Sequence, residues 1–147
     1  MHLRSITIVA VFLCLTALGS ARAGMNMDMK MGGKQIMLPM TEVSGVRAMA
    51  HIKDIKAAMA KMGMTATHHF MVMFTDLKSG EQLTDGMAAV KITNPAGKTS
   101  RPVMLMAMRG IFGSDITMNK PGIYKLSVGT RLNDGQKRVF HFSYTVR

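Results

Sequence analysis

Between Thr65 and Thr75 the chain reads Thr-Ala-Thr-His-His-Phe-Met-Val-Met-Phe-Thr. Side chains alternate faces along a β-strand, so Phe70, Val72 and Phe74 point one way while His69, Met71 and Met73 point the other. The first face is ordinary core. The second sets one imidazole and two thioethers about 7 Å apart in steps of two residues, a donor set suited to a soft metal ion. Strict alternation sends His68 to the core side, and it joins the donor face only if the strand begins after it.

Further thioethers surround this stretch in the sequence. The chain has 18 methionines in 147 residues, against two tyrosines and no tryptophan. Methionine fills irregular gaps in cores, which accounts for some of them. Core filling does not account for Met25, Met27, Met29 and Met31, which alternate with polar residues between Gly24 and Lys34. A terminal stretch rich in Gly, Asn, Asp and Lys is expected to be a flexible arm displaying four thioethers. Met59, Met62 and Met64 form an M-x-x-M-x-M pattern, in which residues three apart share a helix face and Met64 folds over from the helix exit. Met104, Met106 and Met108 alternate with Val103, Leu105 and Ala107, and periodicity does not decide which set is buried.

The chemistry these residues offer is narrow. A thioether is neutral and unprotonated at every relevant pH, so it binds Cu(I) without competition from protons, whereas Mg²⁺ and Ca²⁺ prefer oxygen. Imidazole from His68 or His69 would tighten such a site and admit Cu(II), and Ag(I) is the other soft candidate. Enzyme chemistry finds no support: there is no H-E-x-x-H, no G-x-S-x-G and no phosphate loop. A non-enzyme is expected.

The elements that must position these donors follow from punctuation and alternation. The N-terminus has a basic start, an apolar run from Ile6 to Leu18 and an Ala-Arg-Ala ending, the pattern of a secretory signal peptide cleaved after Ala23. Cleavage would remove Cys14, the single cysteine, and with it any disulfide or thiolate ligand; losing Arg4 and Arg22 lowers the formal charge from +11 to +9. Basic proteins often bind nucleic acid, but export and the lack of aromatic interleaving argue against it here. No later stretch approaches the roughly 20 apolar residues of a transmembrane span.

A hairpin is expected at Ser44-Gly45, with Val46, Ala48, Ala50 and Ile52 inward and Arg47, Met49, His51 and Lys53 outward. The same run is also compatible with a helix, because Ala, Met and Lys are good helix formers. A short helix is expected from about Asp54 to Met62, capped by Asp54 and ended by Gly63. Turns at Asn94-Pro-Ala-Gly and Asn133-Asp-Gly-Gln separate further strands, the last placing Phe140, Phe142, Tyr144 and Val146 inward. His141 falls on the opposite face. About seven short strands at such spacing predict an all-β sandwich over residues 35–147, after a signal peptide over 1–23 and the arm over 24–34.

From Gln35 onward the order resembles a family of small exported immunoglobulin-like sandwich proteins, the YtkA-like and copper-resistance CopC-like group. The matching segments are Thr67-His68-His69-Phe70-Met71-Val72, Val90 to Lys98, Gly110 to Asp115 and Lys120 to Tyr124. The resemblance implies a periplasmic seven-stranded immunoglobulin-like β-sandwich and, through the CopC-like members, copper handling. No histidine stands near the expected mature N-terminus, where Gly24-Met25-Asn26 occurs instead, so a Met-based Cu(I) site fits better than a Cu(II) site on the terminal amine. The expected function is copper binding for trafficking or resistance, with an envelope copper transporter, oxidase or efflux component as partner. The alternative is a metal-free envelope interaction module, exploiting the adaptability of an exposed methionine surface.

Overall fold

The computed structural model describes residues 33–147. The expected signal peptide, and Met25, Met27, Met29 and Met31 of the expected arm, lie outside the described residues. Ten strands and one short helix follow in order: β1 (Gln35–Met37), β2 (Thr41–Val43), β3 (Val46–Asp54), α1 (Lys56–Lys61), β4 (His68–Asp76), β5 (Gln82–Leu83), β6 (Gly86–Thr93), β7 (Val103–Met108), β8 (Ile111–Ile116), β9 (Gly122–Leu132) and β10 (Lys137–Val146). The all-β expectation holds. The short strands β1, β2 and β5, of two or three residues each, bring the count to ten.

All neighbouring strands pair antiparallel, in the order β1-β3-β4-β8-β7-β6-β9-β10, with β2 on β3 and β5 on β4. Strand β7 is where the sheet turns over. Its first half pairs with β6 through Val103↔Val90 and Leu105↔Ala88, and its second half with β8 through Met106↔Gly113 and Met108↔Ile111. The curled sheet thus faces itself across a core, as in a sandwich. Phe74 of β4 meets Phe140 of β10 with ring centroids 5.3 Å apart, and Phe70 meets Phe142 at 6.3 Å. Edge-to-face and tilted contacts of this kind add to the area that aromatic rings bury.

Strand β3 settles the strand-or-helix ambiguity over 46–53. Val46, Ala48, Ala50 and Ile52 are fully buried while Arg47, Met49, His51 and Lys53 lie on the outer face. The period of two prevails over helix propensity because only a strand lets all four apolar residues reach the core. The β2–β3 hairpin turns at Ser44 (φ +46°) and Gly45 (φ +75°), two consecutive left-handed residues as a tight two-residue hairpin requires. Helix α1 starts later than expected. Asp54 closes β3, its Oδ1 accepting from the Lys56 amide at 2.9 Å, and Ile55 occupies the position before the first helical turn.

One polar side chain ties the two halves of the sandwich. Arg138 lies in the inward row of β10 ahead of Phe140, and its guanidinium donates to Asp134 Oδ2 at 2.6 Å, to Gln136 Oε1 at 3.1 Å and to the Ser44 carbonyl at 3.3 Å.

Candidate metal centre

The outer face of the β1-β3-β4-β8 half carries the soft donors in register. One transverse row runs Met37 (β1), His51 (β3), Met71 (β4), Gly113 (β8) and Met106 (β7), each residue directly opposite the next. The row on one side of it runs Gln35, Lys53, His69 and Asp115, and on the other side Met49 stands opposite Met73. Directly opposite residues on one face have Cβ atoms about 4.5–5.5 Å apart, within reach of a common ligand for side chains as long as methionine and histidine.

Alternation along β4 places His69, Met71 and Met73 outward and half-buried, with Phe70, Val72 and Phe74 anchoring the strand from behind. Strand β7 delivers Met106 and Met108, which are 73% and 71% exposed, because Leu105 is the side chain that turns to the core. Ala107, which alternates with these methionines, is also exposed. The β7–β8 connection is a second tight hairpin, with Arg109 at φ +51° and Gly110 at φ +80°, and it fixes Met106 against Gly113.

Gly113 is the floor of the site. A methyl built on its Cα would lie 3.4 Å from both His69 Nε2 and Met71 Cγ, so these two side chains lean over the gap that the glycine leaves. The result is an open groove of about 670 Å³ lined by His69, Met71, Met106, Met108, Ile111 and Asp115 among others. His69 enters it in a fixed orientation. Its Nδ1 lies 2.5 Å from Asp115 Oδ1, which turns the Nε2 edge of the ring over Gly113. A carboxylate behind Nδ1 is the usual arrangement that orients a metal-ligating histidine and raises its basicity. Stability is a poor explanation for this contact, because both partners are about a third exposed and such pairs contribute about 0–1 kcal/mol.

Among the described residues no three His, Cys, Asp or Glu side chains converge on a common point. The donors that stand around Gly113 are His69 Nε2 and the thioethers of Met71 and Met106.

The structure divides the other expected donors. Met59 is 6% exposed and fills the core side of α1, whereas Met62 and Met64 are exposed; the three do not share a face. The reason is the helix exit, where the Met62 and Met64 amides both return to the Met59 carbonyl and turn the chain away. Met104 is outward and exposed, but it lies opposite Ala89 on the β6 side of β7, away from Gly113. His141 is on the outer face of the other half, its Nδ1 3.1 Å from Ser127 Oγ.

His68 faces inward, as alternation along β4 dictates. It is 5% exposed, stacks edge-on against Tyr144 with centroids 5.4 Å apart, and its Nδ1 lies 2.7 Å from Thr67 Oγ1. Burial lowers its pKa below the ordinary histidine value, an effect that nearby Asp54 opposes and Lys56 reinforces. The folded protein holds His68 neutral, while the unfolded chain takes up its proton from about pH 6.5 downward. This contribution to stability is therefore complete above pH 6.5 and declines as pH falls from there toward the folded-state pKa. Urea midpoints measured at pH 7.5 and 5.5 should fall with acidification, and His68→Phe, which keeps the edge-on contact, should fall less. An equal fall in both proteins would contradict this assignment.

Residues outside the expected donor set complete the face. Met37, Met49 and His51 join the donors through register, and Gly113 and Asp115 through the β4–β8 pairing. Their signal was the alternation of Met49 and His51 beside the β4 pattern; only the pairing of strands distant in sequence shows that the two sets share one face.

The fold and this face together define an all-β sandwich-like protein that presents a histidine and methionine surface. No family model matches the chain, and no curated protein matches it. Among solved structures it is similar to the PmoD soluble domain from Methylocystis sp. ATCC 49242 (Rockwell), at 14% identity and a TM-score of 0.44, over 74% of this chain and 96% of that one.

Proposed function

We propose that the protein is a periplasmic copper-binding protein that holds Cu(I) at His69, Met71 and Met106, for copper trafficking or resistance. The observation that carries this reading is the Gly113 gap, over which an Asp115-oriented imidazole nitrogen and a methionine side chain lean while Met106 stands on the other side. Two thioethers and one neutral imidazole suit a soft monovalent ion, and the partly open groove suits an ion that is to be passed on. Export through a cleaved signal peptide supplies the compartment. Met25, Met27, Met29 and Met31 would offer looser thioethers for capture, and an envelope transporter, oxidase or efflux component is the partner class that fits. The net positive charge opposes cation approach only weakly, since screening at physiological salt acts over about 8 Å.

Competition against a Cu(I) chelator tests the reading. The Met71→Leu/Met106→Leu variant keeps apolar volume, so the fold tolerates it, and removes both sulfurs. Its Cu(I) affinity should collapse. Asp115→Asn should weaken binding about 10–100-fold by releasing the His69 ring. Unchanged affinity in the double-leucine variant would overturn the site. A metal-free docking surface is favoured by the exposure of Met106 and Met108 beside Ile111. It predicts the opposite pattern, since leucine preserves an apolar contact and no Cu(I) is bound at all.

A further inference from the structure

The groove over Gly113 uses one half of the donor row. The other half carries a second set: His51 stands directly opposite Met37 on one side and Met71 on the other, and the Met49–Met73 pair lies one step along the same face. No side-chain hydrogen bond engages the His51 ring among the described residues, whereas Asp115 engages His69 and Ser127 engages His141. Both ring nitrogens of His51 are thus available, on a half-buried side chain flanked by thioethers on three sides. Lys53, the neighbouring outward residue on β3, is as near to His51 along the strand as Met49 is and stands opposite His69, so the donors around His51 include no carboxylate. Neutral soft donors without a carboxylate discriminate against hard divalent cations.

We propose that this face holds a second soft monovalent ion at His51, with Met37 and the Met49–Met73 pair as its sulfur donors. Met71 lies between the two positions. Its cross-strand neighbours are His51 and Gly113, so its thioether reaches toward either ion and joins the two sites into one track across the sheet. The second site deepens the copper reading and rests on it.

Cu(I) stoichiometry by chelator competition separates the two. The protein to use carries Met25, Met27, Met29 and Met31 changed to Leu, so that these thioethers do not add to the count. It should bind two Cu(I) ions; His51→Gln should reduce this to one and leave the remaining affinity within about threefold, and His69→Ala should likewise leave one. Met methyl resonances of Met37 and Met49 should move with the ion that His51→Gln removes. A single ion lost in His69→Ala and unaffected by His51→Gln would overturn the second site and leave the first intact. Two ions that both survive His51→Gln would also overturn it. No bound Cu(I) would overturn the copper reading and the second site with it.

Discussion

Replacing Phe74 with Ala is expected to lower the free energy of unfolding by about 3–5 kcal/mol, the range for truncating a large aromatic side chain in a core. Phe74 is fully buried and lies where the curled sheet closes on itself, 5.3 Å from the Phe140 ring across the sandwich and 5.4 Å from Phe112 on the adjacent strand β8. Its loss leaves a cavity between two other rigid rings, which have little freedom to collapse into it. The loss should appear in urea unfolding as a lower midpoint with an unchanged slope. Met73→Ala, one residue away on the outer face, should cost far less. Comparable losses would mean that the inner and outer faces of β4 are not as distinct as their burial indicates.

Asp134→Ala is expected to lower the urea midpoint clearly, because it removes both carboxylate oxygens that accept from Arg138 and leaves the guanidinium only Gln136 and the Ser44 carbonyl. The Arg138 side chain is 3% exposed, against 30% for Asp134, so the variant strands a charge that has little access to water. Arg138 also holds the Ser44 carbonyl, joining the β9–β10 hairpin to the β2–β3 turn. The Asp134→Ala/Arg138→Met double variant removes the stranded charge and should recover part of the loss. A double variant no more stable than the single one would show that the Ser44 contact, rather than charge compensation, is the main contribution. The Arg138 hydrogen bonds hold the Asp134 carboxyl below the usual carboxylate range, followed by the Gln136 amide, and backbone amides of Ser79 and Lys78 do the same for Asp76. These carboxylates contribute stability above the ordinary carboxylate pKa and lose it as pH falls through their folded-state values, a window well below that of His68.

Local alternation made the strands legible. Phe70, Val72 and Phe74 against His69, Met71 and Met73, and Val46 through Ile52 against Arg47 through Lys53, divide inner from outer residues as the structure does. Turn chemistry fixed hairpins at Ser44-Gly45 and over Asn133 to Gln136. Two kinds of feature were not legible. Composition made Met59, Met62 and Met64 look alike, but the helix exit buries the first and exposes the others. Alternation likewise grouped Met104 with Met106 and Met108, and only the change of partner along β7 separates them. The inward position of Arg138 was hidden because its burial depends on acceptors contributed by two hairpins far apart in sequence. The site itself lay between these cases: its donors on β4 and β7 were visible, while its glycine floor, its carboxylate and its neighbours on β1 and β3 depend on strand order, which periodicity does not contain.

X-ray absorption at the copper edge of the Cu(I)-loaded protein, with Met25, Met27, Met29 and Met31 changed to Leu, tests the central claim most directly, because it counts the ligand types without assuming which residues bind. Sites built from His69, Met71 and Met106, and from His51 with its methionines, predict a first shell in which sulfur outnumbers nitrogen. The number of bound Cu(I) ions should fall from two to one in Met71→Leu/Met106→Leu. A first shell of nitrogen and oxygen alone, or two ions still bound in that variant, would contradict the account.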